Sequence, residues 1–495
     1  MKMNINKFFT AIGLSSVLVF SSCDKVIEVE PEFSKDGSQI FTNLEDYQFA
    51  LTGAYALLRQ TGYYGNGPQV TGAFSVLPDM MSEHVAETNN ELGNYVTQTD
   101  WTYAADDTDI ATTWLAAYSV ITQANSVIRN IDNFASVNQD EVNKIKGQAL
   151  AIRGMVHFDL LRYWGEDYSR NSTAKGVPYR TVIDLEERPA RLDVKTTYDN
   201  IFRDLLEAET LLGTKVVNTS TSAVNARAYI DRLVVRAMLA RVYLYAKDYA
   251  NAESYATLVI NERPLASKTN FPNIWKDASA AEVIWAVAFN PGEGNPVSGI
   301  YTASSNNLGY RPTSNILALY DQANDIRFPA YFASRATGAS APILPFASNA
   351  RKITNKHVGR GTATDNVVNW KAFRTGEMYL IRAEARALKA TPDFVGALAD
   401  LNTLREARIN NYTPLIATGS ALINAIAEER QRELYAEGHR WFDLKRTTKT
   451  ITRSDCGTAT SCSLAPTSRS WTWPIPQGEL LANPNIPQAQ QTTGY

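Results

Sequence analysis

Two glutamates near the C-terminus, Glu433 and Glu437, have the residue type that paired-carboxylate catalysis requires. Such a pair would cleave a glycosidic bond with one carboxyl group as acid and the other as base or nucleophile. However, residues four apart on a helix lie side by side and do not face each other across a substrate. Arg430 and Arg440 would also keep both carboxylates ionised, whereas a general acid must hold its proton. The pattern therefore predicts a partly buried ion network, completed by Asp443, that fixes the end of a helix.

One amphipathic helix, predicted over residues 421–446, must position these charges. Apolar residues occupy the first half of one helical face and charged residues the second half, at spacings of three and four. Gly438 is predicted at the helix C-cap, because glycine tolerates the positive φ with which many helices end.

Ten positions of this segment have the spacing ER-x-x-EL-x-x-EG-x-R-x-x-DL-x-R: Glu429, Arg430, Glu433, Leu434, Glu437, Gly438, Arg440, Asp443, Leu444 and Arg446. On these residues the chain resembles the SusD/RagB family of lipoproteins. Further landmarks that resemble the family are Gly147-Gln148-Ala149, Arg153, Phe158, Leu160, Trp164-Gly165, Arg374-Thr375-Gly376-Glu377-Met378, Ala383-Glu384-Ala385 and Pro474-Ile475-Pro476. Two places depart from the family pattern, namely Glu166-Asp167 after Gly165 and Thr492-Thr493 before the last two residues.

The resemblance implies a nutrient-binding lipoprotein exposed on the outer membrane of Bacteroidetes, closing over a SusC-type TonB-dependent transporter. Its ligand would be a glycan, or a peptide as in RagB-type proteins. A structural or adhesive surface protein is the alternative from another functional class, because degenerate helical repeats are common interaction scaffolds.

Composition favours a soluble globular protein, and the sequence contains none of the common enzymatic motifs. Hydrophobic residues make up 44% of 495 positions and the formal net charge is −3, which gives no basis for nucleic-acid binding. The four histidines, His84, His157, His357 and His439, are far apart and none belongs to an HExxH motif. A P-loop, a dinucleotide fingerprint and a nucleophile elbow are also missing from the sequence. We therefore predict no metal, no cofactor and no catalysis.

The first 22 residues are predicted to be a lipoprotein signal peptide. Lys2 and Lys7 precede an apolar run over residues 8–20, which is too short and too interrupted for a membrane-spanning helix. Residues 19–23 resemble a lipobox, although Phe20 stands where a leucine-like residue is usual.

Cys23 is accordingly predicted to carry a lipid that anchors the protein in the outer membrane, facing the cell exterior. The polar, acidic stretch 24–40 behind it is predicted to be an extended tether. The remaining cysteines, Cys456 and Cys462, form an even pair in an exported protein and are predicted to be disulfide-bonded.

Helical periodicity dominates the chain after the tether. The predicted helices cover residues 41–58, 110–131, 141–164, 197–212 and 226–246. Two segments also align without a gap at an offset of 145, pairing Ala240, Arg241, Asp248 and Ala252 with Ala385, Arg386, Asp393 and Ala397. Small residues where helices touch, with a turn between them, are typical of a tetratricopeptide-like hairpin.

We therefore predict a mainly α fold, a tetratricopeptide-like helical hairpin scaffold with long loop insertions and little β-strand. An N-terminal region, 41–261, and a C-terminal region, 262–495, would pack on the same scaffold. The largest insertion, 262–370, is rich in Gly, Pro, Asn, Ser and aromatic residues, and only residues 282–289 in it are predicted as a strand. The acidic run 106–109 is predicted to cap a helix, because it lacks the glycine and terminal glutamate of an EF-hand calcium loop.

Aromatic and polar residues cluster in two predicted loop regions, 63–101 and 301–311. Exposed rings beside amide, carboxylate and guanidinium groups suit a sugar, which needs both stacking faces and directional hydrogen bonds. The predicted ligand-binding residues are Tyr63, Tyr64, Asn66, Asp100, Trp101, Tyr301, Asn306, Tyr310 and Arg311.

Overall fold

The computed structural model describes residues 40–67, 70–88, 93, 95–184, 186–217, 222, 225, 227–297, 309–336 and 342–495. The chain separates into two units, 1–46 and 47–495, and every element below belongs to the second unit apart from the start of the first helix. The predicted signal peptide, Cys23 and nearly all of the tether lie outside the described residues.

Helices form nearly half of the described chain. They are α1 (Leu44–Leu57), α2 (Leu77–Met80), α3 (Val96–Thr99), α4 (Thr108–Ile128), α5 (Ala135–Trp164), α6 (Val194–Leu212), α7 (Arg232–Tyr245), α8 (Tyr249–Glu262), α9 (Phe271–Ile274), α10 (Ser314–Ala318), α11 (Arg327–Tyr331), α12 (Thr375–Leu388), α13 (Phe394–Glu406), α14 (Gly419–Glu433), α15 (Arg440–Thr447) and α16 (Gln477–Ala482). Short 3₁₀ turns occur at Ile131–Phe134, Arg469–Trp471 and Gln488–Gln490.

Strands are short. They are β1 (Asn66–Gly67), β2 (Val70–Thr71), β3 (Val85–Glu87), β4 (Val283–Val287), β5 (Tyr310–Pro312), β6 (Phe332–Arg335), β7 (Ile343–Leu344), β8 (Arg351–Thr354), β9 (Trp370–Arg374), β10 (Ile451–Thr452) and β11 (Ser463–Leu464). They pair antiparallel as β1 with β2, β3 with β5, β4 with β9, β10 with β11, and β6 between β7 and β8.

Two hairpins, α7 with α8 and α12 with α13, confirm the tetratricopeptide-like prediction, and they lie side by side because α8 packs on α12. At equivalent turns Asp248 accepts a hydrogen bond from the Asn251 amide at 3.2 Å, and Asp393 accepts one from the Gly396 amide at 2.8 Å. The aligned alanines of both hairpins are fully buried where the helices touch. These local signals were therefore sufficient to predict the scaffold.

The earlier helices pack in chain order, α4 on α5, α5 on α6 and α6 on α7. Their bounds differ from the predicted ranges mainly at the helix ends. Asp107 caps α4, since its Oδ1 accepts hydrogen bonds from the backbone N–H groups of Asp109 at 2.9 Å and Ile110 at 3.2 Å. The capping interpretation of residues 106–109 is thus confirmed at Asp107.

The insertion 262–370 contains more strand than predicted. The strand predicted over 282–289 is β4, but β5, β6, β7, β8 and the start of β9 also lie there. The pairing partner of β4 is β9, which begins 87 residues later, and short strands with such distant partners leave no local periodic signal. The prediction of one strand in an otherwise looped insertion is therefore wrong, although the fold remains mainly α.

The C-terminal tail crosses the end of α5. Trp473 is fully buried, and its ring stacks on Tyr163 with centroids 3.7 Å apart. Trp164 donates its indole N–H to the Pro474 carbonyl at 2.8 Å.

None of the described helices is long and apolar enough to cross a membrane.

Candidate functional site

The segment with the ten-position signature is two helices. α14 ends at Glu433 and α15 begins at Arg440, so the prediction of one helix over 421–446 is wrong. Ala436 (φ 54°) and Gly438 (φ 75°) both take the left-handed conformation in the connection. Gly438 lies within this connection and is not the helix C-cap, which is Leu434.

Two contacts with a distant segment hold this connection. A Cβ on Gly438 would lie 2.2 Å from the Phe74 carbonyl oxygen, so only glycine fits this approach. The buried Asp79 carboxylate accepts hydrogen bonds from the backbone N–H groups of Ala436 at 3.2 Å and Gly438 at 2.9 Å. The helix break therefore depends on residues more than 350 positions away.

An ion network surrounds the end of α14. Within the described residues it joins six cations to six anions: Arg327, Lys356, Arg374, Arg405, Arg408 and Arg432 to Glu282, Asp325, Glu428, Glu429, Glu433 and Glu437. Glu433 lies at its centre with its side chain 0% exposed. Its carboxylate accepts hydrogen bonds from Arg408 at 2.9 Å and from Arg327 and Arg374 at 3.0 Å each.

These contacts settle what the two glutamates can do chemically. Burial alone would raise the pKa of Glu433, but three adjacent guanidinium groups hold it far below its ordinary value. Glu437 accepts from Arg374 at 2.6 and 2.7 Å and from the buried Lys356 ammonium at 2.6 Å. Burial lowers the pKa of Lys356 to about 7, although the Glu437 carboxylate opposes this shift. Both glutamates are held in ion pairs and do not face each other across a cleft, so the structure favours the ion-network interpretation.

Three of the five charges predicted to converge, Arg430, Arg440 and Asp443, lie outside this network, so the prediction that all five converge is wrong. Arg430 pairs with Asp443 through two hydrogen bonds of 3.0 and 3.1 Å. Arg440 pairs with Glu83. The helix break is the physical reason, because Arg440 and Asp443 belong to α15 and no longer share a face with Glu433.

Tyr63 and Tyr64, predicted to bind ligand, are buried core residues. Their rings contact each other edge to face with centroids 4.9 Å apart, and both contact Phe74. The Tyr63 hydroxyl donates to Asp159 at 2.5 Å. Their prediction as an exposed stacking platform is wrong, because Tyr63 is 0% and Tyr64 is 3% exposed.

Trp101 is also buried, at 5% exposure, and does not offer an exposed face. Its indole N–H donates to the Met81 carbonyl at 2.9 Å, and the Arg453 guanidinium lies 4.1 Å from its ring centroid. Arg453 in turn donates to the carbonyls of Thr99 at 2.7 Å and Ser82 at 2.9 Å. Burial lowers the pKa of Arg453 to about 10.

Asp100, Tyr310 and Arg311 come together at a two-stranded ribbon. β3 and β5 pair Ala86 with Arg311 and Glu87 with Tyr310. Tyr310 is buried and contacts Tyr95 edge to face, so its ring is not exposed either.

Arg311 retains partial exposure, and it forms a bidentate pair with Asp455, with hydrogen bonds of 2.6 and 2.7 Å. The two side chains are 31% and 22% exposed. The hydrogen bonds from Arg311 lower the pKa of Asp455, so the pair stays charged.

A disulfide loop covers the end of this ribbon. Cys456 and Cys462 are bonded, with Cα atoms 5.5 Å apart. The buried Asp100 carboxylate accepts from the amides of Thr460 at 2.7 Å and Ser461 at 3.1 Å, so it fixes the loop and is not free for ligand. We call β3, β5 and residues 453–462 together the ribbon corner.

Gly457 brings this loop against β3. Its φ is 62°, and a Cβ would lie 2.0 Å from the Glu87 carbonyl oxygen. The position therefore requires glycine both for its conformation and for its close contact.

Three predicted residues have no described side-chain environment. Tyr301 and Asn306 lie outside the described residues. The backbone of Asn66 forms β1 with Thr71 as its partner. Among the described residues no group of three or more His, Cys, Asp or Glu side chains is arranged to hold a metal ion.

Sequence reasoning missed Arg453 and Asp455, which contact Trp101 and Arg311 of the two predicted loop regions. Their only local signal is that they precede Cys456 in a segment already expected to be stapled. Their partners, Trp101 and Arg311, lie far away in sequence, so no spacing rule would have linked them.

Comparison with known proteins identifies the family. One family model, described as starch-binding and associating with the outer membrane, matches residues 34–244, and the SusD family model matches residues 347–495. The chain belongs to the SusD/RagB family. The two matched stretches leave out residues 245–346, which include most of the insertion.

Relatives of this SusD/RagB protein are similar over nearly their full length. It is 25% identical to SusD-like protein P38 of Formosa agariphila, covering 91% of this chain and 93% of the relative. SusD-like protein P2 of the same organism is 27% identical, with 82% and 84% covered.

Solved structures agree with the fold. A SusD superfamily protein from Bacteroides thetaiotaomicron is 26% identical and superposes with a TM-score of 0.75, covering 91% of this chain and 99% of that one. A SusD-like carbohydrate binding protein from Bacteroides vulgatus is 23% identical with a TM-score of 0.74, covering 90% and 97%.

Proposed function

We propose that this SusD/RagB protein captures a glycan at the cell surface and passes it to a SusC-type TonB-dependent transporter. The observation that carries the proposal is the match of residues 34–244 to a family described as starch-binding and associating with the outer membrane. Catalysis is not part of the proposal, because Glu433 and Glu437 are buried in ion pairs.

We place glycan contact at the ribbon corner. The Arg311–Asp455 pair supplies fixed donors and acceptors while remaining partly exposed. Beside it, the exposed Ser454 hydroxyl donates to the Asn315 side chain at 2.7 Å. Sugar hydroxyl groups need both kinds of hydrogen-bonding group, and side chains that are already ordered lose little entropy when a ligand binds.

The proposed site would face the cell exterior on a lipid anchor. A lipid on Cys23 and the tether 24–40 would hold the binding unit at the outer membrane. Delivery would follow when the protein closes over the transporter with glycan held between the two proteins.

Calorimetric titration of the Cys23→Ala chain against glycan and peptide panels tests the binding step. We expect saturable binding of a glycan, and Arg311→Gln should weaken it about tenfold, because a hydrogen bond to a charged group contributes roughly 1.5–3 kcal/mol. Arg170→Gln is the matched control, since Arg170 pairs with Asp199 at 29% and 42% exposure.

Other outcomes redirect the proposal. Binding of peptides alone would assign the protein a RagB-type role in peptide uptake. Failure of both panels would favour a structural or adhesive scaffold. The delivery step has its own test, because affinity purification from native outer membranes should recover a large β-barrel partner, and its absence contradicts delivery.

A further inference from the structure

A cavity of about 330 Å³ opens between α12, α14 and α15, behind the signature residues. Its apolar wall consists of Ala387, Leu388, Ile423, Ile426 and Ala427. This size is at the lower end of small-molecule sites, and the mixture of an apolar wall with a few polar groups is typical of them.

The two carboxylates that line this cavity, Glu384 and Asp443, are already engaged. Both oxygens of Glu384 accept hydrogen bonds from Arg446, at 2.5 and 2.8 Å. Asp443 accepts from Arg430 at 3.0 and 3.1 Å and from Arg446 at 2.8 Å. A ligand that brought only hydrogen-bond donors would therefore have to break an existing ion pair.

Donors remain in surplus. Thr448 takes a left-handed conformation (φ 53°) beside the cavity. The next backbone N–H, that of Lys449, donates to the Leu444 carbonyl at 3.2 Å. Within the described part of the chain the Lys449 ammonium has no ion pair, and the amide nitrogen of Gln431 donates to no residue. With both carboxylates engaged and these two donor groups free, the cavity favours a ligand that brings hydrogen-bond acceptors.

The net charge of the side chains that line the cavity indicates the charge of the ligand that would neutralise it. Arg430, Arg440, Arg446 and Lys449 contribute four positive charges to the lining, and Glu384 and Asp443 contribute two negative charges. Glu83, outside the lining, neutralises Arg440. One positive charge is left over, and it corresponds to Lys449.

We propose that this cavity binds a small monocarboxylate with a compact apolar body. Its carboxylate would accept hydrogen bonds from Lys449 and Gln431, and its apolar body would lie against Ile423 and Ala427. A single surplus charge matches a monoanion better than a phosphate or sulfate dianion. The inference does not depend on the glycan function, since none of the lining residues belongs to the ribbon corner.

Titration of the full chain with cyclohexanecarboxylate tests this site, with the neutral cyclohexanecarboxamide as the isosteric comparison. We expect the acid to bind at least about tenfold more tightly than the amide, because only the acid compensates the Lys449 charge. Lys449→Gln should remove most of that difference. Asn424→Asp, an isosteric change at an exposed lining residue, should also weaken the acid through charge repulsion.

The controls separate a local effect from a general one. Lys276→Gln changes an exposed lysine that does not line the cavity and should leave the titration unchanged. Lys449 and Asn424 are both exposed, so neither variant should lower the melting temperature. Equal binding of acid and amide, no binding of either, or wild-type affinity in both cavity variants would overturn the proposal.

Discussion

Replacing Glu433 by glutamine should destabilise the folded protein by about 3–5 kcal/mol, the usual cost of removing one partner from a buried ion pair. Glutamine has nearly the same shape, so packing is retained and the change is one of charge. Three guanidinium groups within 3.0 Å of this carboxylate would lose their shared anion in a site with 0% exposure. The neighbouring anions are already engaged and cannot replace it.

The expected change in melting temperature follows from the size of the folded unit. Residues 47–495 form one unit, for which unfolding entropy is about 0.9 kcal/mol per kelvin at roughly 2.1 cal/mol/K per residue. A loss of about 3–5 kcal/mol therefore corresponds to a decrease of about 3–5 °C. Differential scanning calorimetry of the purified chain at pH 7 measures it.

Glu428→Gln provides the matched control on the same helix. Its side chain is 48% exposed and pairs with Arg432 at the edge of the network. Exposed pairs contribute roughly 0–1 kcal/mol, so this variant should melt within about 1 °C of wild type. If Glu433→Gln also melts within that range, the buried network does not depend on the Glu433 charge and our reasoning is refuted.

Three further predictions concern other parts of the chain. Replacing both Cys456 and Cys462 by serine should cost about 2 kcal/mol by the chain-entropy relation for so short a loop, and quantitative thiol labelling of the native protein would contradict the bond. Burial alone would raise the pKa of Glu429, but its ion pairs, mainly that with Arg327, lower the pKa to about 2. The contribution of Glu429 to stability is therefore complete above the pKa of about 4.3 that it has in the unfolded chain, and it is lost as the pH falls towards 2. Acid unfolding followed by circular dichroism should therefore be less steep over that interval for Glu429→Gln than for wild type. Cys23→Ala should release the protein from washed membranes, and retention there would contradict the lipid anchor.

The helical hairpins could be predicted because their determinants are local. Asp248 and Asp393 each cap the helix that begins at the next residue, and the aligned alanines on both sides of each turn are fully buried. The helix break at Ala436 could not be predicted in the same way, because the Asp79 carboxylate that fixes it is supplied by the other end of the chain.

The candidate site was predicted less well, for a related reason. Tyr63 and Trp101 lie in segments with loop-like composition, and such segments usually lie on the surface. Asp159 accepts from the Tyr63 hydroxyl and Arg453 lies over the Trp101 ring, and neither partner is near in sequence. Composition identified the region of Asp100 and Arg311 as polar, but only the three-dimensional contacts distinguish the residue that fixes a loop from the one that remains partly exposed.

The ion network makes the C-terminal half of the protein cooperative. Five separate segments supply Glu282, Arg327, Arg374, Arg408 and Glu433, and in the folded protein all five side chains are almost completely buried. A partly assembled state would contain uncompensated charge in a nonpolar interior, which is far less favourable than either the native or the fully hydrated state. Intermediates with some of these segments in place should therefore be scarcely populated, and the strands and helices that carry them should exchange their amide hydrogens together rather than one element at a time.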